Sequence, residues 1–163
     1  MESIKPPVRP FDNQDADAVV NLSLRAWEPV FVSIEQVLGS EIFKLLHPDW
    51  RADQKRAVED VCAAQKIRVW VAEIDANTVG FVAVELHPER SIGEIYMLAV
   101  DPDHQGDGIG TALTEFALDW IKDAGMAVAV VETGGDPGHA AARRTYEKVG
   151  CVQLPIARYF KKL

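Results

Sequence analysis

Leu98-Ala99-Val100-Asp101-Pro102-Asp103-His104-Gln105-Gly106-Asp107-Gly108-Ile109-Gly110-Thr111-Ala112-Leu113 is the stretch from which the rest of this 163-residue chain can be read. Its first residues close an apolar run that starts at Glu94, and Asp101-Pro102 ends that strand, because proline has no N–H to give to a sheet. Gly106, Gly108 and Gly110 then allow tight turning and close approach of the backbone to a ligand. From Ile109 onward Ala112, Leu113, Phe116, Ala117, Trp120, Ile121 and Ala124 recur at steps of three and four, one apolar stripe of a helix. Gly125 sits where a C′ glycine belongs. A strand, a glycine-rich loop and a helix in this order present the free N–H groups and positive dipole end of the helix. Together they form an anion site suited to phosphate or pyrophosphate.

Upstream, Arg68–Ile74 and Thr78–Leu86 flank the turn residues Asp75-Ala76-Asn77, which predicts an antiparallel hairpin. Pro88–Ser91 is a turn leading into the strand Glu94–Val100. Downstream, Ala127–Thr133 reads as a short, buried strand. Asp136-Pro137 starts a last helix that ends at Gly150, and residues 151–162 read as one or two short strands interrupted at Pro155. The first third is helical. Residues 12–32 form one helix, capped by Asp12 or Asn13 and disturbed near its end by Pro29. A second runs from a Ser33 cap to Leu46, and a charged third from Asp49 to Lys66. The strand, helix and strand of residues 94–133 permit a parallel crossover beside the antiparallel meander. The expected fold is α/β (α+β): a mixed, mostly antiparallel central sheet flanked by helices, in a single domain over residues 1–163.

Composition narrows the function classes. Apolar residues make up 48% and charged residues 26%, with a net charge of −8, so a packed domain is expected rather than disorder. A pI of about 5.0 argues against nucleic acid as partner, since that contact relies on Lys and Arg neutralising phosphates. The apolar runs are too short to span a membrane. Met1–Phe11, with three prolines and no apolar core, is not expected to be an export signal. Cys62 and Cys151 have no CxxC spacing, and the four histidines (His47, His87, His104, His139) form no HExxH, so no metal is expected. Sparse cysteine fits a reducing, cytoplasmic location.

The glycine loop fails GxxxxGK[ST], because no Lys follows Gly110, and fails GxGxxG, because its glycines alternate singly. It fits Q/R-x-x-G-x-G/A through Gln105, Gly108 and Gly110, and so resembles the acyl-CoA pyrophosphate loop of the GNAT superfamily of N-acetyltransferases. The stretch from His139 to Cys151 is similar to a later motif of that superfamily, N-x-x-A-x-x-x-Y-x-x-x-G-F. Ala142, Tyr146 and Gly150 match, while His139 replaces the Asn and Cys151 the Phe. On a helix, positions 139, 142, 146 and 149 share one face. The resemblance covers roughly residues 67–160; the N-terminal third, which shapes the acceptor site in the superfamily, agrees only in being helical.

The resemblance implies direct transfer of an acetyl group from acetyl-CoA, as cosubstrate, to a primary amine of a small molecule. It puts backbone groups of Leu98, Ala99 and Val100 against the pantetheine arm. Gln105, Gly106, Asp107, Gly108, Ile109, Gly110 and Thr111 fall at the pyrophosphate. By the same resemblance His139 meets the cofactor, and Tyr146 is the general acid for the departing thiolate. An alkyl ammonium has a pKa near 10.4, so a base must help. Glu94, where many relatives place a catalytic Glu, is the candidate and Glu132 the back-up; an exposed strand-start Glu and a solvated strand end are the plain alternatives. A protein N-terminus or lysine as acceptor, and a non-catalytic acyl-CoA-binding regulatory module, stay open. So does homodimer formation, common among such proteins. The tryptophans are read as core or interface anchors, with Trp27 a second option as an acceptor-pocket wall.

Overall fold

Five strands form one sheet in the order β1-β2-β3-β4-β5. They are β1 (Val8–Pro10), β2 (Ile67–Ile74), β3 (Asn77–His87), β4 (Ile92–Val100) and β5 (Val128–Val131). The helices are α1 (Ala16–Leu38), α2 (Ser40–Leu46), α3 (Trp50–Ala63), α4 (Ile109–Asp123) and α5 (Ala140–Lys148). This computed structural model describes residues 5–163. The start of the stretch judged not to be an export signal, residues 1–4, lies outside the described residues. β1 to β4 pair antiparallel, and β5 joins β4 in parallel after the α4 crossover. The mixed, mostly antiparallel sheet with flanking helices is the predicted fold.

Alternation along β2 and β3 builds a core on each face. Trp70, Ala72, Val82 and Val84 point to α4, where Ile109, Leu113, Ala117 and Ile121 complete one cluster. Val71, Phe81 and Ala99 point the other way, to Val19 and Leu22 of α1 and Val58 of α3. Burying a side chain such as Phe81 or Leu113 contributes roughly 1.5–3 kcal/mol. Gly93 lets α4 approach β4, because a Cβ there would collide with the Ile121 side chain. Trp70 packs edge-on to Phe116 and tilted against Trp120, as core anchors do.

Several boundaries differ from the sequence expectation. Pro29 does not end the first helix; α1 runs through it to Leu38, and Gly39, with φ +83°, makes the break instead. The missing Pro29 N–H removes one hydrogen bond, while the flanking turns still pack on the sheet and α3. Ser33 is therefore a buried residue inside α1 rather than a cap. Asp12 does cap, through a reciprocal pair with Asp15 that opens a 3-10 turn before α1. β1 was not expected: three residues containing Pro10 carry no strand signal, and it forms because the edge of β2 is open to it. β5 is short as expected but is not buried, since it is the sheet's last strand and Val128 to Val130 are exposed. Residues 151–162 form no strand; beyond Cys151 the chain has no regular secondary structure and is exposed.

Candidate active site

Sequence and sheet geometry open a cleft at β4. The pairing of β4 with β5 covers only Ile92 to Ile95, after which β5 ends and Tyr96–Val100 has no partner on that side. Opposite, the β3 register shifts between Ala83 and Val84, so that Met97 and Ile95 pair with them and Tyr96 is the extra residue of a β-bulge. The bulge changes the parity of the strand. Glu94, which pairs with Glu85, thereby shares the α1 face of the sheet with Met97 and Ala99.

The V between β4 and β5 widens into a cleft of about 660 Å³. Leu98, Ala99 and Val100 line it, together with Gln105, Gly106, Gly108, Ile109, Gly110 and Thr111 of the glycine loop and the start of α4. Tyr146, His139 and Glu132 also line the cleft, as do Trp27 and Val30 of α1. Trp27 also packs against the core, as the reading of it as a core anchor expected. Two predicted residues are not in this lining. Asp107 is an exposed loop residue, and Glu94 lies two register steps from Met97, roughly 7 Å along the strand. There Glu94 meets the His87 ring, Nε2 to Oε2 3.1 Å. A second hollow, of about 520 Å³ at the β1–β2 edge, offers no such row of donors.

The donors of the glycine loop are arranged as the sequence suggested. Gly106 and Gly108 have φ +87° and +82°, conformations that L side chains rarely adopt, and Gly108 is the N-cap of α4. Among the described residues no protein group accepts from the N–H groups of residues 106 to 111; the first N–H of α4 to do so is Ala112, to Gly108 O. Six consecutive free donors at the positive end of a 15-residue helix form a fitting cradle for a pyrophosphate. The loop is held from outside, since Asp101 caps the following turn through Asp103 N and Arg25 of α1 bridges Asp101 and Asp103.

The opposite wall is set by a half-buried polar network. Ser33 Oγ donates to Asp136 Oδ2 (2.6 Å), and Gly138 N donates to Ser33 Oγ (2.9 Å). Arg143 donates to the carbonyls of Gly134 and Asp136. Burial alone would raise the Asp136 pKa, but hydrogen bonds from Ser33 and His139 outweigh it and hold the carboxyl below its ordinary range. The ionised Asp136 therefore takes the Nδ1–H of His139. With Nδ1 engaged by Asp136, Nε2 is the ring nitrogen His139 has left where the motif's Asn would present its amide. Burial raises the Tyr146 pKa, so its phenol stays protonated. Burial also pushes the Cys62 thiol up to about 11, against a reactive role.

Sequence reading overlooked the cations of this wall. Arg144 and Lys148, four apart on α5, line the cleft and add positive charge to it, and His104 of the loop lines it too. Their signal was the i, i+4 spacing beside the Tyr146 motif. Glu85, His87 and Glu94 also come together, with one ligand-type atom each within 4.8 Å of the others. Among the described residues no helix is long and apolar enough to cross a membrane.

Comparison with known proteins agrees with this geometry. The profile of the Acetyltransferase (GNAT) family matches residues 39–151. It begins before the expected resemblance and stops short of the exposed tail. A mycothiol acetyltransferase of Amycolatopsis mediterranei is 34% identical over 146 residues, covering 84% of this chain and 42% of that protein. The chain spans well under half the length of the curated relatives it matches. Among solved structures, the Escherichia coli ribosomal-protein-S18-alanine N-acetyltransferase superimposes with a TM-score of 0.63 at 19% identity, covering 88% of this chain and 76% of that one. The PaiA N-acetyltransferase of Thermoplasma acidophilum, in complex with coenzyme A, does so with 0.65 at 15% identity over 90% and 89%.

Proposed function

The chain belongs to the GNAT acetyltransferase family, and from that premise we propose that it transfers an acetyl group from acetyl-CoA to the primary amine of a small molecule. The row of free N–H groups from Gly106 to Thr111, at one end of a cleft that reaches Tyr146, carries this reading. In it, residues 106–111 hold the pyrophosphate through backbone donors, and Arg144 and Lys148 add charge. The unpaired edge of β4 at Leu98, Ala99 and Val100 holds the pantetheine amides. The thioester supplies an activated acyl carbon.

The chain's own part is proton management and orientation. Glu94, steadied by His87, takes the proton of the incoming ammonium through water, because it stands beyond the cleft lining on the acceptor face. Glu132 lies in the lining and is the alternative base. Tyr146, kept protonated by burial, donates its O–H to the departing sulfur. That donation needs close geometry, since a phenol is a weaker acid than a thiol. Trp27 and Val30 narrow the acceptor side to a pocket, which favours a small amine over a peptide. A small-molecule acceptor is in line with the name mycothiol acetyltransferase that the curated relatives carry. Free thiols at Cys62 and Cys151 accord with a cytoplasmic enzyme.

Release of free thiol from acetyl-CoA by the purified protein, across a panel of small amines and mixed peptides, tests the reading. Amine-dependent release is the expected result, strongest with small amines. Release with peptides alone would move the acceptor to protein. Tight acetyl-CoA binding without release on any amine would replace the enzyme with an acyl-CoA sensor.

A further inference from the structure

Three ligand-type side chains meet on one face of the paired strands β3 and β4. Glu85 and Glu94 stand directly opposite each other in the register, and His87, paired with Ile92, lies two residues beyond Glu85 on the same face. One ligand-type atom of each lies within 4.8 Å of the other two, and all three residues are half-buried. Nε2 of His87 and Oε2 of Glu94 are 3.1 Å apart, close to the roughly 3.3 Å that separates two ligands of a tetrahedral zinc with bonds of about 2.0–2.1 Å. Both strands are interior here: Glu85 also pairs with Ile67 of β2, and Glu94 with Val130 of β5. Backbone held on both sides fixes where the three side chains start. Like charges directly opposite across a sheet destabilise it. Among the described residues no Lys or Arg makes an ion pair with Glu85 or Glu94, and His87 is the one partner of Glu94.

We propose that Glu85, His87 and Glu94 bind one zinc ion, and that zinc held there switches the transferase off. The donor set selects the metal. One imidazole nitrogen with two carboxylate oxygens suits a first-row dication such as zinc, whereas magnesium and calcium take oxygen donors. The two carboxylates balance the charge of the ion, which relieves the repulsion between the opposed glutamates. Three protein ligands leave the fourth position of a tetrahedral zinc to water. The switch rests on the reading of Glu94 as the base. A carboxylate oxygen that gives its lone pair to zinc no longer takes a proton from the incoming ammonium, and His87 no longer steadies it. The metal binding itself stands apart from that reading.

Titration of the untagged, metal-free chain with cobalt(II) and with zinc tests the site, cobalt serving as a coloured stand-in. The expected result is one ion per chain, a cobalt d–d spectrum without thiolate charge-transfer bands, and displacement of cobalt by zinc but not by excess magnesium or calcium. Glu85→Gln keeps the fold and, without zinc, the wild-type rate, because Glu85 takes no part in the proton path. It binds zinc at least about tenfold more weakly, since even the partners that orient a metal's ligands are worth that much. Acetylated amine is measured directly, because zinc also binds free thiols. With the site saturated, its formation by wild type falls by at least about 10²-fold, the usual worth of a general base, while Glu85→Gln at the same zinc concentration stays active. The absence of a stoichiometric ion overturns the site, as do thiolate bands or undiminished affinity in Glu85→Gln. A saturated site with full activity keeps the metal, overturns the switch and removes Glu94 as base, so the two readings fail separately. Should Glu85→Gln not fold, His87→Ala replaces it in the binding titration, with the same loss expected.

Discussion

Tyr146 and Asp136 show how much one side chain's surroundings decide. The phenol of Tyr146 keeps its proton because burial disfavours the phenolate. Replacing it by Phe preserves the packing and removes only the O–H, so kcat is expected to fall about 10²- to 10⁴-fold with acetyl-CoA affinity nearly unchanged. Steady-state kinetics beside equilibrium binding check this; an unchanged kcat removes Tyr146 from the mechanism. Asp136 gives a pH signature. Its folded-state pKa lies below the ordinary carboxylate value near 3.9. Its contribution is therefore fully present above that value and is lost as pH falls through the folded pKa. Asp136→Asn is expected to cost about 1–2 kcal/mol at pH 7 and much less near pH 3, as read from urea unfolding at both. An equal cost at the two pH values would contradict the assignment. The sequence named Tyr146 and His139 through their motif. It was silent on Asp136 and Ser33, because their contact joins residues 103 apart in the chain and leaves no local pattern.

Elements explain why the loop is legible and its surroundings less so. Gly108 needs φ +82° at the α4 N-cap, and a β-branched side chain pays most there. Gly108→Val is expected to raise the KM for acetyl-CoA roughly 5- to 30-fold, the equivalent of about 1–2 kcal/mol, while far-UV circular dichroism stays native. A KM within experimental error of wild type would show that the loop does not hold the acyl donor. Gly93 answers to packing alone: Gly93→Ala drives a Cβ into Ile121 and is expected to cost about 1–3 kcal/mol. That corresponds to a Tm lower by roughly 2–12 °C at this size, measured by calorimetry. Periodicity gave α4, β2 and β3 nearly to the residue because α4 has one continuous apolar face and the two strands are apolar on both of theirs. It failed at Pro29 and Ser33, where propensity pointed to a break and packing on the sheet carried α1 through. It also failed at β1, which three residues cannot announce. The tail has the alternation of a strand, yet alternation sets a face and not a neighbour.

At the scale of the whole molecule, the sheet positions both ends of the site. The bulge at Tyr96 brings Glu94 to the α1 face, the early end of β5 opens the cleft, and the α4 crossover delivers free N–H groups to its far end. Fold and family were legible because loop and helix motifs are local in sequence. The acceptor was not, because the cleft draws its lining from α1, from α5 and from the β4–β5 splay, which no short motif joins. Everything rests on the claim that residues 106–111 cradle the pyrophosphate of an acyl-CoA. Titration calorimetry of acetyl-CoA into the wild-type protein, with NAD as the comparison dinucleotide, tests it most directly. The account predicts saturable binding of one acetyl-CoA per chain and none of NAD. Binding of NAD in place of acetyl-CoA, or no saturable heat with acetyl-CoA, would contradict it.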